Sequence, residues 1–125
     1  MEVYTGIDII EVVRIKNNIE TNQEKFLNRI YTSKEIEYCE SKKMNKYQSY
    51  AGKFAAKEAI FKAISTFLNN KFQVEWKDLE VLNNSDGKPF VCINNKIEEI
   101  KKCKIDISIS HTSTMAVASV VLTKE

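Results

Sequence analysis

The chain has 125 residues, 43% of them hydrophobic and 29% charged, with a net charge of +2 at neutral pH. That length suits one domain, residues 1–125, with a single core. No apolar run reaches the length that spans a bilayer, and the first residues lack the parts of a signal peptide, so the expected location is the cytoplasm and no membrane partner is expected.

Val3 to Ile10 reads as a strand. Val3, Thr5, Ile7 and Ile9 share one face; Tyr4, Gly6, Asp8 and Ile10 share the other. Aspartate is depleted in strands, so Asp8 belongs either to a solvent face or to chemistry. Gly6, two residues before it, leaves space that a ligand can enter. Glu11 to Arg14 then leaves the strand. Asn22 to about Ile30 reads as a short helix with Phe26, Leu27 and Ile30 inward. Thr32-Ser-Lys-Glu35 is a capping box that opens the next helix, which turns Ile36, Cys39 and Met44 inward.

The stretch from Asn45 to about Asn69 is the organising helix. Ala55, Ala56, Ala59, Ile60, Ala63, Ile64 and Phe67 form its apolar face, and Lys53, Lys57, Glu58 and Lys62 lie opposite. Glu58 and Lys62 are four residues apart and share one stripe, with Phe54 and Phe61 beside them. An ordinary surface ion pair explains them, as does a lined cleft. Gly52 costs about 1 kcal/mol against alanine in a helix, which close packing must offset.

Val74 to Leu82 reads as a strand holding Trp76. Asn83 to Pro89 is a turn with Asp86-Gly87 at its tightest point, and Phe90 to Ile93 returns as a hairpin. Asn95 to Lys104 reads as a short helix with Ile97 and Ile100 inward. Lys104 to Ser110 alternates cleanly, His111 to Thr114 is a tight connection, and Met115 to Thr123 is the last strand. The order is β-α-α-α-β-β-α-β-β. The fold class is α+β, an antiparallel sheet packed against one long central helix.

Cys39, Cys92 and Cys103 have no CxxC spacing, and their odd count argues against a disulfide framework. The single histidine, His111, excludes a multi-histidine metal site. Any metal is therefore held by oxygens, which points to magnesium, manganese or calcium. Lys42, Lys43, Lys46, Lys53 and Lys57 form a basic run without an acid from Ser41 to Lys57, and Arg14, Lys16, Lys25 and Arg29 precede it. The run is either a solvated face or a docking surface for an acidic partner. The small net charge and the lack of an RNA-binding signature argue against nucleic acid.

Three places can carry chemistry: Asp8, Glu58 with Lys62, and Ser108-Ile-Ser-His-Thr112. If the first strand packs on the long helix, Asp8 and Glu58 come face to face. Two carboxylates beside a lysine suit magnesium on a diphosphate. The familiar glycine-rich nucleotide loops are absent.

Gly6-Ile-Asp-Ile-Ile-Glu11 with Arg14, Lys53-Phe-Ala-Ala-Lys-Glu-Ala59 with Lys62-Ala63, Asp86-Gly-Lys-Pro89, and Ser108-Ile-Ser-His-Thr112 with Ala116-Val-Ala118 stand in this order. Together they resemble the holo-[acyl-carrier-protein] synthases, the short bacterial-type 4'-phosphopantetheinyl transferases. The resemblance implies transfer of phosphopantetheine from coenzyme A to a serine of apo acyl carrier protein, releasing adenosine 3',5'-bisphosphate, in support of fatty acid biosynthesis. It implies that Asp8 and Glu58 hold Mg2+ (or Mn2+), with Glu58 and Lys62 catalytic. It further implies that Lys53, Lys62, Gly87, Lys88, Pro89, His111 and Thr112 contact the coenzyme. Arg14 then docks the carrier protein, and a homotrimer shares the coenzyme between subunits. Position 53 is often arginine in that family; lysine lacks the bidentate fork.

Overall fold

The computed structural model describes residues 1–94 and 97–125. Its elements are β1 (Glu2–Glu11), α1 (Val12–Ile30), α2 (Ser33–Glu40), α3 (Lys46–Ile64), β2 (Leu79–Asn83), β3 (Pro89–Ile93), α4 (Glu98–Lys101), β4 (Lys104–His111) and β5 (Met115–Lys124). The expected α+β order holds. The strands divide into an antiparallel sheet β1-β5-β4 and a separate hairpin β2-β3.

Helix α3 lies across the inner face of the three-stranded sheet. Ala55, Ala56, Ala59, Ile60, Ala63 and Ile64 are buried there with Ala118, Val120 and Leu122 of β5 and Ile107 of β4. Small side chains let the helix come close, and Gly6 lets it come closest. A Cβ at Gly6 would lie 1.9 Å from the Ala59 carbonyl oxygen and 3.1 Å from the Ala63 nitrogen. The space beside Gly6 is therefore filled by helix backbone, not left for a ligand. Gly52 does the same more mildly against the Ile109 side chain at 3.0 Å.

The opposite side of α3 is also covered. Helices α1 and α2 pack against it, enclosing Tyr50, Ala51, Cys39, Tyr31 and Ile30 in a second core, while strand β2 adds Leu79 and Val81 to the first. A helix covered on both sides keeps only a narrow polar strip, which Lys57 is not part of, and this corrects its expected position. It is fully buried, its ammonium 2.9 Å from the equally buried Glu35 and 2.9 Å from the Trp76 carbonyl. Burial lowers the Lys57 pKa, and the Glu35 carboxylate opposes that shift. Glu35 also accepts from the Thr32 and Val81 amides, both at 2.8 Å. The capping box at Thr32 thus exists as read, and its glutamate has a second task inside the core.

Four further expectations change. Helix α1 begins at Val12 rather than Asn22, with a break at Asn22 where φ is −148° and ψ is 49°. Met44 is 96% exposed instead of inward. Residues Trp76–Asp78 form a 3-10 turn, with Glu75 and Asp78 as its capping pair, before β2 begins. Helix α3 stops at Ile64, and a 3-10 turn, Ser65–Phe67, continues it. Asn95 and Lys96, expected at the start of the short helix, lie outside the described residues; α4 itself retains buried Ile100.

Strand β1 turns Tyr4, Gly6, Asp8 and Ile10 toward α3. Val3, Ile7 and Ile9 are 57%, 63% and 62% exposed on the other side. Register pairs Ile7 with Ser119, Ile9 with Val117 and Thr5 with Val121. The outer face of the sheet is therefore mostly apolar along β1 and β5, broken by Thr5 and Ser119, and polar along β4, where Asp106, Ser108 and Ser110 are exposed. Among the described residues no helix is long and apolar enough to cross a membrane.

Candidate active site

Asp8 and Lys62 meet because β1 crosses α3 at Gly6. The Lys62 ammonium donates to the Ile7 carbonyl at 2.8 Å and to Asp8 Oδ1 at 3.3 Å. One turn earlier on α3, Glu58 shares the stripe of Lys62. Its pKa is raised, first by burial and then by the Asp8 charge, with Lys62 pulling the other way. Two carboxylates close enough to repel, one of them paired to a lysine, form the expected cluster. Lys62 pairs with Asp8; among the described residues no ion pair joins it to Glu58.

Glu58 and Lys62 open into a cleft of about 1140 Å³. Phe61 and Trp76 form part of its wall, ring edge to ring face with centroids 5.3 Å apart. Phe54 does not line it. That ring stacks between Trp76 and Phe26 and props the wall from behind. Arg29, Lys71 and Lys77 add positive charge around the cleft. The sequence reading missed Lys71 and Lys77 in this role, and placed Trp76 in a strand. Lys71-Phe-Gln-Val-Glu-Trp-Lys77 alternates polar and apolar residues, which imitates a strand and hid the cleft-lining role of its lysines.

The other expected site residues lie elsewhere on the same chain. His111 ends β4, and Thr112 begins the tight connection, whose Oγ1 accepts from the Thr114 and Met115 amides at 3.2 and 3.0 Å. His111 pairs with Ala116 and Asp8 with Ala118 on opposite edges of β5. The two are thus a strand apart and two residues displaced. Gly87 and Lys88 are exposed at the β2-β3 turn, where Gly87 takes φ +91°, and Pro89 is the half-buried first residue of β3. Lys53 is 3% exposed, with its ammonium 2.6 Å from the Val81 carbonyl and 2.7 Å from Asn83 Oδ1. Arg14 is exposed on α1. The described residues contain no cluster of three or more His, Cys, Asp or Glu side chains fit for a metal. Asp8 with Glu58 is a two-carboxylate set.

Comparisons with known proteins place the chain in a family. Residues 4–120 match the 4'-phosphopantetheinyl transferase superfamily. The holo-[acyl-carrier-protein] synthase of Ruminiclostridium cellulolyticum is 44% identical, over 98% of this chain and 92% of its own. That of Clostridium tetani is 48% identical over 90% and 89%. A crystal structure of the Bacillus anthracis holo-(acyl-carrier-protein) synthase in complex with CoA (3',5'-ADP) superposes with a TM-score of 0.80 at 35% identity, covering 98% and 96% of the two chains. The Helicobacter pylori synthase in complex with coenzyme A gives 0.82 at 28%, covering 95% and 99%. The chain belongs to the 4'-phosphopantetheinyl transferase superfamily, among the holo-[acyl-carrier-protein] synthases.

Proposed function

We propose that this protein transfers the 4'-phosphopantetheine arm of coenzyme A to a serine of apo acyl carrier protein, releasing adenosine 3',5'-bisphosphate and serving fatty acid biosynthesis. The observation that carries the reading is the convergence of Asp8 with Glu58 and Lys62, the last two of which line the cleft. The donor set fits a hard cation. Two carboxylates suffice for magnesium or manganese, because such ions keep water and take phosphate oxygens for the remaining positions. When bound by Asp8 and Glu58, the ion supplies polarisation of the diphosphate.

The chain's own groups do the rest. The serine oxygen attacks the phosphorus that bears the pantetheine arm, and the bond from that phosphorus to the bridging oxygen breaks. The Glu58 carboxylate receives the serine proton, directly or through one water. Its pKa, raised by burial and by the Asp8 charge, makes it a better base than an ordinary glutamate. Lys62 is half exposed, so its ammonium can leave Asp8 and donate to the departing phosphate oxygen. Little covalent work falls to the protein in phosphoryl transfer; position and charge carry the rate.

Gly87, Lys88 and Pro89, together with His111 and Thr112, would hold the nucleotide. None of them lines the cleft that Glu58 lines within one chain, and Val3, Ile7 and Ile9 stand exposed on the outer sheet face. Both features support a homotrimer in which copies cover these faces and complete each other's sites. Arg14 on α1 offers an acidic carrier protein a place to dock, with Arg29 nearer the cleft. Lys53 and Lys57 are interior, so the surface lysine run is thinner than its sequence suggests, which weakens any nucleic-acid reading.

The test mixes protein, coenzyme A, magnesium and apo acyl carrier protein, then weighs the carrier by mass spectrometry. The expected product carries one phosphopantetheine arm. A carrier of unchanged mass, from folded protein at saturating coenzyme, overturns the proposal.

A further inference from the structure

We infer that Lys53 is a positioning residue, which governs nucleotide binding through the β2-β3 turn rather than by touching the nucleotide. The inference rests on the coenzyme A reading above. An ammonium has three donors and no acceptor. Two of those donors are committed to the Val81 carbonyl at 2.6 Å and Asn83 Oδ1 at 2.7 Å. The Tyr38 ring covers the remaining side, its centroid 4.6 Å from the nitrogen. With the residue 3% exposed, no donor remains for a phosphate.

The reach of Lys53 continues through Asn83. A lysine can only donate, so it forces the oxygen of the Asn83 amide inward and the NH2 outward. That NH2 donates to the Gly87 carbonyl at 3.0 Å. Gly87 is the turn's left-handed residue, and its own amide donates to the Asn84 carbonyl at 2.8 Å. Next to it, the Lys88 amide donates to Asp86 Oδ1 at 3.1 Å. A buried charge on α3 therefore fixes an amide, the amide fixes a turn carbonyl, and the turn presents Gly87 and Lys88. An arginine at position 53 can also donate to an amide oxygen, so this role survives the exchange that the bidentate argument treats as a loss.

The experiment is a double-mutant cycle in steady-state transfer, with Lys53→Met, Asn83→Ala and the pair, varying coenzyme A and carrier protein in turn. The loss of one charge-assisted bond is expected to raise the KM for coenzyme A about three- to tenfold in Asn83→Ala. Lys53→Met raises it similarly, and the pair shows no further rise. The KM for carrier protein and kcat stay within about twofold, a split that general loss of structure does not produce. Lys53→Arg keeps the KM of the native protein. A KM for coenzyme A that rises less than threefold in Asn83→Ala overturns the inference, and that single variant decides if Lys53→Met does not fold. A rise in Lys53→Met that adds to that of Asn83→Ala also overturns it, because it means direct contact. Native protein that transfers nothing from coenzyme A is a different result, and refutes the functional reading instead.

Discussion

Replacing Gly6 by alanine tests whether strand and helix contact sets the active site. The added Cβ would stand 1.9 Å from the Ala59 carbonyl oxygen and 2.8 Å from its carbon. Ordinary contact begins near 3.4 Å, so β1 and α3 must separate by about 1.5 Å. The obstacle is backbone, which cannot swing aside as a side chain does. The cost falls at the upper end of overpacking, about 3 kcal/mol. An unfolding entropy of about 2.1 cal/mol/K per residue gives about 0.26 kcal/mol/K for this chain, so the melting temperature falls by about 11 °C. Melts must be compared at one protein concentration, since assembly shifts them. Asp8 lies two residues along from Gly6, and a displacement of about 1 Å in a reacting group costs on the order of a hundredfold in turnover. Gly52→Ala is the control. Its Cβ meets only the tip of Ile109 at 3.0 Å, and alanine gains about 1 kcal/mol in a helix interior. It should melt within a few degrees of the native protein. A Gly6→Ala protein that melts as Gly52→Ala does and transfers at the native rate would refute the argument.

Other expectations follow from the same geometry. Asp8→Ala or Glu58→Ala should lower turnover by roughly three orders of magnitude or more at saturating magnesium, read by carrier mass over time. In metal-free protein, carboxyl NMR should place the Glu58 midpoint above its ordinary value of 4.5, lower it in Asp8→Asn and raise it further in Lys62→Met. A raised carboxylate pKa means that folding disfavours the ionised form. Metal-free Glu58→Gln should thus melt above the native protein at neutral pH, with the gap closing as the pH falls through the raised Glu58 pKa and gone below the ordinary glutamate range. Lys57→Met strands a buried charge on Glu35 and should cost about 3–5 kcal/mol in urea unfolding, with part recovered in Glu35→Gln/Lys57→Met. Arg14→Glu should raise the KM for carrier protein far more than that for coenzyme A, with the effect fading as salt rises.

What the sequence made legible was local or periodic. Alternation located β4, the Asp-Gly turn located the β2-β3 hairpin, and the capping box at Thr32 formed as its residues require. Periodicity does not say which face of a strand is inward. In β1 the more apolar face, Val3, Ile7 and Ile9, is the exposed one, because only the face with Gly6 admits the helix. Val12, Ile15 and Ile19 hold helical spacing, yet their β-branched character hid the first half of α1. Lysine composition reads as solvent, and nothing local distinguishes Lys53 and Lys57 from Lys62. Their burial follows from what packs over α3, a long-range fact. The Asp8-Glu58-Lys62 cluster was legible because strand and helix periodicities each fixed one side of it.

The strand order β1-β5-β4 puts the segment made last between two made before it. During synthesis, residues 2–11 and 104–111 have no strand partner in the sheet until 115–124 emerge. The three-stranded sheet cannot close before then, because β5 is the strand that both others pair with. Open strand edges during that interval invite pairing with other chains. A stop codon just before Met115 would therefore not trim the domain; it would take away the strand that holds the other two, and with it the wall that carries Asp8.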